Sequence, residues 1–290
     1  MVHIPSFAVV VPTLNPGPRW LAWLSALNAQ TARPSRVLVI DSSSDDGSLG
    51  PLGEEGFELV TIPRNQFNHG GTRQAAFERL REQVAVVVFM TQDALLADEQ
   101  ALGRLVTTFD DSSIGAAYGR QRPHVEAGPF GAHARLFNYG AESAVKGLAD
   151  RDRLGIKTCF LSNSFAAYRC RDLDAMGGFP MTDFGEDMLV AARLLLNGRR
   201  IAYVADAGVY HSHDDSIKEE FDRYYATGRF HARHPWLLEE FGGATGEGRR
   251  FVWSEMAYLL KHAPHLLPAA GIRTLVKYSA YQLGRLSLNA

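Results

Sequence analysis

The 290-residue sequence predicts an α/β fold: a mostly parallel central sheet flanked by helices, with a helical extension at the C-terminus. Three observations carry that expectation. Short β-branched runs alternate with stretches of helical periodicity through the first third of the chain. Each run ends in a loop rich in Pro, Gly, Asn, Asp or Ser. From Ser216 onward the spacing of apolar residues is helical. Strand, helix, strand in that order implies parallel neighbours joined by right-handed crossovers, the hand in which such a connection packs back onto its own sheet.

Phe7-Ala8-Val9-Val10-Val11 reads as a buried strand that stops at Pro12 and enters the loop Thr13 to Gly17. Trp20, Leu21, Trp23, Leu24 and Leu27 fall on overlapping faces of a helix through about Gln30. Val37 to Ile40 is a second strand, closed by Asp41 to Gly47, residue types that favour turns and helix caps. Leu59 to Ile62 is a third. Phe67-Asn68-His69-Gly70-Gly71-Thr72-Arg73 opens a helix to about Gln83, and Ala85 to Met90 is a fourth strand ending at Thr91-Gln92-Asp93-Ala94. Further on, the patterns predict a polar stretch from Arg120 to Gly131, a helix over 132–149, a strand over 160–168 and a turn at Gly177 to Pro180. A helix over 186–197 and two short strands at 201–204 and 208–210 follow. The final helices are interrupted at 242–248, Pro264 and Pro268. In parallel sheets ligands bind beyond the carboxyl ends of the strands, so Thr13 to Asn15, Asp41 to Asp46 and Gln92-Asp93 should converge on one crevice.

Composition excludes more than it names. Thirty basic and 32 acidic residues give a net charge of -2, which disfavours nucleic acid as a partner, because phosphate binding needs a basic surplus. Val84 to Met90 is the longest apolar run, far short of the roughly 20 residues of a membrane-spanning helix. No basic start followed by an apolar segment marks a secretory signal, so a cytoplasmic location is expected. Cys159 and Cys170 suit free, buried thiols in a reducing compartment. The P-loop pattern, the G-x-G-x-x-G fingerprint after the first strand and the G-x-S-x-G elbow are all missing, which removes the main support for an ATPase, a dinucleotide enzyme or a serine hydrolase. What remains is a set of carboxylates at strand ends and a late histidine.

Taken in order, Pro12-Thr13-Leu14-Asn15, Asp41 with its serine-rich loop, Asn68 to Arg73, Gln92-Asp93-Ala94, Gly185-Glu186-Asp187 and His211 resemble the GT-A glycosyltransferases of family 2. Within that family, Phe67 to Arg73, Thr91 to Ala94, Tyr118-Gly119-Arg120-Gln121 and Val209 to His213 most resemble bacterial rhamnosyltransferases of O-antigen and surface polysaccharide synthesis. The resemblance spans about residues 7 to 235 and departs from the family at one point. The acidic D-x-D triplet is here Gln92-Asp93-Ala94, with a single carboxylate.

This resemblance implies a Rossmann-like GT-A domain over 1–235, with a nucleotide-binding half over about 1–120 and an acceptor half over about 121–235, followed by an extension over 236–290. It implies an inverting transfer of L-rhamnose from dTDP-L-rhamnose to a hydroxyl of a lipid-linked oligosaccharide or other glycan. A family 2 enzyme using a UDP- or GDP-sugar and a catalytically silent sugar-nucleotide binder are the alternatives. Asp187 is implied as the base, with Glu186 beside it. Thr13, Asn15, Asp41, Ser43, Asn68, Gly70, Gly71, Arg73, Gln92 and Asp93 are implied for the nucleotide sugar. Arg120, Gln121, Ser162 and Asn163 are implied for donor sugar or acceptor, with Phe137-Asn138-Tyr139 as an acceptor wall. Asp93 and His211 are implied as ligands of Mn²⁺ or Mg²⁺, an oxygen-rich set with one imidazole.

Each residue also has a plainer reading. Asp93 and Asp41 suit caps and turns, Glu186 and Asp187 suit a helix N-terminus, Arg73 a solvated helix face, and His211 a local strand-end bond. The tail from Phe251 to Leu288 carries Lys261, Arg273, Lys277 and Arg285 against one acid, Glu255. It fits peripheral contact with the inner face of the cell membrane, packing on the protein, or a homodimer equally well.

Overall fold

The computed structural model describes residues 4–50, 57–243 and 246–287. In chain order the elements are β1 (Phe7–Thr13), α1 (Arg19–Asn28), β2 (Arg36–Asp41), β3 (Glu58–Thr61), α2 (His69–Leu80), β4 (Val86–Met90), β5 (Leu95–Leu96), α3 (Ala101–Val106), β6 (Ile114–Arg122), α4 (Pro129–Asn138), β7 (Ala144–Lys146), α5 (Arg151–Leu154), β8 (Phe165–Arg169), α6 (Cys170–Ala175), α7 (Glu186–Leu196), β9 (Arg200–Tyr210), α8 (Ile217–Arg233), α9 (Pro235–Phe241), α10 (Glu247–His262) and α11 (Leu267–Leu286). They form two compact units interleaved along the chain, one of residues 1–121, 141–148 and 159–211, the other of 122–140, 149–158 and 212–290.

The first unit is a nine-stranded sheet in the order β3-β2-β1-β4-β8-β6-β9-β5, with β7 added beside β9. β3, β2, β1 and β4 are parallel, as the alternation of strand and helix predicts. β8 then pairs with β4 in the antiparallel sense, and β6 with β8 likewise. The register sets Thr13 directly beside Asp41, so the two loops that leave β1 and β2 start at one level. Side chains alternate across the sheet. Phe7, Val9, Val11, Val86 and Val88 meet Trp20, Trp23, Leu24 and Leu27 of α1 and Leu102 and Leu105 of α3 in one core. On the opposite face Phe89, Tyr168 and Phe179 pack edge to face with centroids 5.1–5.9 Å apart. Both cysteines are free and buried, and burial pushes each thiol up to about 12.

The structure corrects the expected boundaries at several points. The helix expected over 132–149 is α4 alone, because Ala144–Lys146 instead pairs along β9. The strand expected from residue 160 starts at Phe165, leaving 160–164 as a loop at the carboxyl end of β4. The two strands expected at 201–204 and 208–210 are one continuous β9. β6, read as loop at its end, is a buried strand whose small residues Gly115, Ala116 and Ala117 weaken its propensity signal.

The second unit is helical. α8, placed with the sheet by the linear division expected at residue 235, packs along α11. Their backbones touch: a Cβ on Gly228 would lie 2.2 Å from the Tyr281 carbonyl, and one on Gly284 2.1 Å from that of Tyr225. Pro268, expected to interrupt the helices, sits in the first turn of α11, where its missing N–H costs nothing. Arg273 and Lys277 of α11 point inward to Glu220 at 3.1 and 3.2 Å. Two of the four cations expected on a membrane-facing helix therefore serve the interior. Among the described residues no helix is long and apolar enough to cross a membrane.

Candidate active site

The site builds up from three loops at strand ends. Thr13 Oγ1 donates to Asp41 Oδ1 at 3.2 Å, and Asp41 also accepts from the Ser44 backbone at 2.9 Å and from the Ser44 hydroxyl. Asp41 thus caps its own turn and remains tied to β1. Asn15 and Ser43 hold positive φ of 45° and 60°, a backbone state that costs a non-glycine residue about 1 kcal/mol or more and marks tightly determined loops. Asn15 is held by a reciprocal pair of 2.9 Å bonds with Asp45, while the Ser43 hydroxyl donates to the Ile62 carbonyl at 2.8 Å.

Gln92, expected to meet the nucleotide, instead pairs both ends of its amide with the backbone of Leu14, at 2.8 and 3.0 Å. It clips the β1 loop onto the end of β4 as a strand residue would. Asp93, next along, faces His211 across 3.4 Å from Oδ2 to Nε2. The other ring nitrogen of His211 lies 2.9 Å from Gln121 Oε1, and Gln121 Nε2 donates to Ser162 Oγ at 2.9 Å. Arg120, one residue before Gln121 on β6, lies on the other face of the sheet by strand alternation. Asp93 and His211 suit a divalent cation in their donor chemistry and spacing. Neighbouring ligands on an octahedral ion with bonds near 2.1 Å lie about 3 Å apart.

The FNHGGTR segment and the acidic pair form a second cluster. Asn68 caps α2 by accepting from the Gly71 amide at 2.8 Å, and its Nδ2 donates to Asp183. Gly70 and Gly71 lie against the chain at 180–182: a Cβ on Gly70 would fall 1.8 Å from the Pro180 carbonyl, and one on Gly71 2.6 Å from Met181 Sδ. The close approach they permit in this structure is to this loop. Arg73, expected to face base or phosphate, is only 4% exposed and pairs with Glu186 at 2.9 Å. Sequence spacing could not reveal this, since Arg73 and Glu186 are joined only by the packing of α2 against the N-terminus of α7.

Asn163 organises the acidic pair. Its Nδ2 donates to Glu186 Oε1 at 2.9 Å, its backbone N–H reaches Asp187 Oδ2 at 3.4 Å, and its Oδ1 accepts from the Tyr168 hydroxyl at 2.6 Å. Glu186 is buried and neutralised. Asp187 receives the Met188 amide at 2.8 Å, yet burial, followed by the charge of Glu186, raises its carboxyl to about 7. Two adjacent carboxylates thereby sit in different environments, one paired with Arg73 and one raised by burial, the kind of setting from which acid–base roles arise. Tyr168 and Asp183 belong to this cluster without any sequence signal that marks them. Ser162 and Asn163, neighbours in one loop, reach the His211 chain and the Asp187 pair respectively.

The family model described as Glycosyl transferase family 2 matches residues 8–177. The chain belongs to glycosyl transferase family 2. It is 46% identical over 284 residues to the O-antigen chain rhamnosyltransferase WbaN of Salmonella anatum, covering 97% of this chain and 90% of that protein. It is likewise 46% identical over 280 residues to the O-antigen chain rhamnosyltransferase RfbN of Salmonella typhimurium LT2, covering 96% and 88%. The mannosyltransferase PcManGT of Pyrobaculum calidifontis, solved with GDP-Man and Mn²⁺, shares the fold of this glycosyltransferase with a TM-score of 0.63. That likeness extends over 97% of this chain and 84% of the other at 19% identity.

Proposed function

We propose that this glycosyltransferase is an inverting enzyme that moves L-rhamnose from dTDP-L-rhamnose to a hydroxyl of a lipid-linked oligosaccharide during surface polysaccharide synthesis. The rhamnose donor is supported by the two relatives at 46% identity, each named for rhamnosyl transfer to the O-antigen chain. Inversion rests on one observation. Of the two carboxylates at the start of α7, Glu186 is buried against Arg73 and Asn163, which leaves Asp187 as the single working acid. A retaining double displacement needs a second, free carboxylate as nucleophile. One base suffices for direct displacement, which turns a β-linked donor into an α-rhamnoside.

In this reading Asp187 takes the acceptor hydroxyl proton while that oxygen bonds to the anomeric carbon from the face opposite the departing diphosphate. A base near 7 is well placed for the task, because its basic form is populated while its proton affinity stays high. Burial and the neighbouring Glu186 raise that affinity, while Arg73 and the Asn163 amide oppose them. Asp41 with Thr13 offers acceptor oxygens to the imide N–H of a pyrimidine ring, between loops pinned by Asn15 and Ser43. Asp93 and His211 would hold Mn²⁺ or Mg²⁺, and such an ion offsets the charge that develops on the leaving diphosphate.

The same reading places the enzyme in the cytoplasm at the inner face of the cell membrane. α11 supports this, being amphipathic in an inverted sense: Arg273 and Lys277 face inward, while Ile272, Leu275, Leu283 and Leu286 are exposed, Leu275 to 68%. Among the described residues of α10 and α11 the two acids, Glu247 and Glu255, are both engaged, Glu247 with Lys157 and Arg250 and Glu255 with Lys277. Arg249, Arg250, Lys261 and Arg285 are exposed. A two-fold dimer would set these like charges against one another, because both partners present the same patch. An anionic lipid leaflet complements them.

Thermal stabilisation by a panel of nucleotide sugars with Mn²⁺ tests the donor: dTDP-L-rhamnose should raise the melting temperature while UDP- and GDP-sugars leave it unmoved. Asp187→Ala should keep that stabilisation and lose transfer by a factor of about 10² or more. Transfer by this variant at the wild-type rate would remove Asp187 as the base.

A further inference from the structure

We propose that Arg64 and Asp45 are positioning residues that hold the nucleobase pocket in shape before any donor arrives. The inference rests on the reading of Asp41 with Thr13 as the contact for the base imide. Among the described residues Asn15 and Ser43 are the only non-glycine residues with positive φ, and each lies two positions beyond one member of that pair. Thr13 and Asp41 are neighbours in the register of β1 and β2, so the two strained turns stand side by side. A strained residue persists only where its surroundings over-determine it.

Arg64, in the turn that follows β3, supplies part of that constraint. Its Nε and Nη2 donate to the Ser43 carbonyl at 3.2 and 3.1 Å, and Nη2 also pairs with Asp45 Oδ1 at 2.8 Å. Asp45 passes the grip to the β1 loop. Its backbone N–H can only donate, so the oxygen of the Asn15 amide faces it at 2.9 Å, and Asn15 Nδ2 donates to the Asp45 carboxylate at 2.9 Å. The Asn15 backbone N–H in turn donates to the Ser44 hydroxyl at 2.8 Å, and that hydroxyl donates to Asp41. A continuous chain of bonds thus runs from Arg64 to Asp41, across the loops that leave three parallel strands. The Arg64 and Asp45 side chains are 47% and 72% exposed, and an ion pair that open adds little to folding. The β1 loop also stays clipped to the end of β4 through Gln92 when the pair is removed. What the pair can do is keep the binding-competent arrangement of the loops populated, and that population scales the apparent affinity for a ligand.

The test uses the full chain with Mn²⁺ and follows dTDP by calorimetry and thymidine by ligand-observed magnetic resonance. Arg64→Met and Asp45→Ala change the net charge in opposite directions. Each should nonetheless weaken dTDP about 10-fold, the loss expected when the competent arrangement falls to a tenth of the population. Thymidine, which lacks the diphosphate, should weaken by the same factor, and the double variant should lose no more than either single one. In transfer assays the donor KM should rise likewise with kcat unchanged, a split that a general loss of folding would not produce. Hydrogen exchange of the unliganded chain should quicken over 13–17 and 42–47 in both variants. A dTDP affinity that falls for Arg64→Met and rises for Asp45→Ala, with thymidine unmoved, makes Arg64 a charge acting on the diphosphate and overturns the proposal. Unchanged exchange in the two loops overturns it as well. If Asp41→Ala binds thymidine as tightly as the wild type, it is the base assignment that fails, and the exchange rates still decide whether Arg64 and Asp45 hold the loops.

Discussion

At the scale of single residues, Asp187 holds a proton that ordinary carboxylates release. Its carboxyl lies at about 7 because burial and the neighbouring Glu186 disfavour the anion. The sign of the stability effect follows. The folded state binds a proton that the unfolded chain gives up near 4, so stability declines as pH rises between about 4 and 7, and the cost persists above. Asp187→Asn should therefore melt several degrees higher than the wild type at about pH 8 and match it near pH 4, while transfer is lost. Wild-type transfer, which needs the anion, should climb tenfold per pH unit below about 7 and level off above it. A flat profile over that interval, or a variant that melts lower at alkaline pH, contradicts the assignment. Differential scanning fluorimetry and initial rates at a series of pH values check both.

At the scale of elements, the FNHGGTR segment seats the loop that leads into α7. The Gly70 amide donates to the Thr182 carbonyl at 2.9 Å, and no Cβ fits between them. Gly70→Ala should cost about 1–3 kcal/mol by overpacking and depress transfer through displacement of Glu186 and Asp187. Gly103→Ala in α3 is the control, since its Cβ would meet only the Ala32 methyl at 3.4 Å; it should fold as well as the wild type and stay active.

Here the reach of the sequence is clear as well. The strands β1, β2 and β4 and the helices α1, α2 and α7 are legible because local apolar periodicity and tertiary burial agree. So is the placement of Asp41, Asp93 and His211 at strand ends. What the sequence hides is who meets whom. Gln92 looks like a remnant of an acidic motif yet imitates a strand neighbour of Leu14; Arg73 looks like a phosphate ligand yet neutralises Glu186. β7 and β6 are hidden for a related reason, since their weak propensity is overridden by pairing to distant strands.

At the scale of the whole molecule, the α11 stripe calls for a cover. The full chain should co-sediment with vesicles containing phosphatidylglycerol and remain in the supernatant with phosphatidylcholine alone. Leu275→Gln combined with Leu286→Gln should abolish the association, because each buried aliphatic side chain contributes about 1.5–3 kcal/mol. Light scattering of the wild type without lipid should give the mass of a single chain. A dimer mass that falls to a monomer in the double variant would assign the stripe to a second copy instead.

The tryptophans lend each unit its own optical signature. Trp20 and Trp23 of α1 lie fully buried with rings stacked at 4.8 Å and 11°, close enough for their electronic transitions to couple. Trp253 on α10, in the other unit, is 74% exposed. The coupled dichroism of the stacked pair therefore reports on packing within the sheet unit, while Trp253 adds long-wavelength emission from the helical unit.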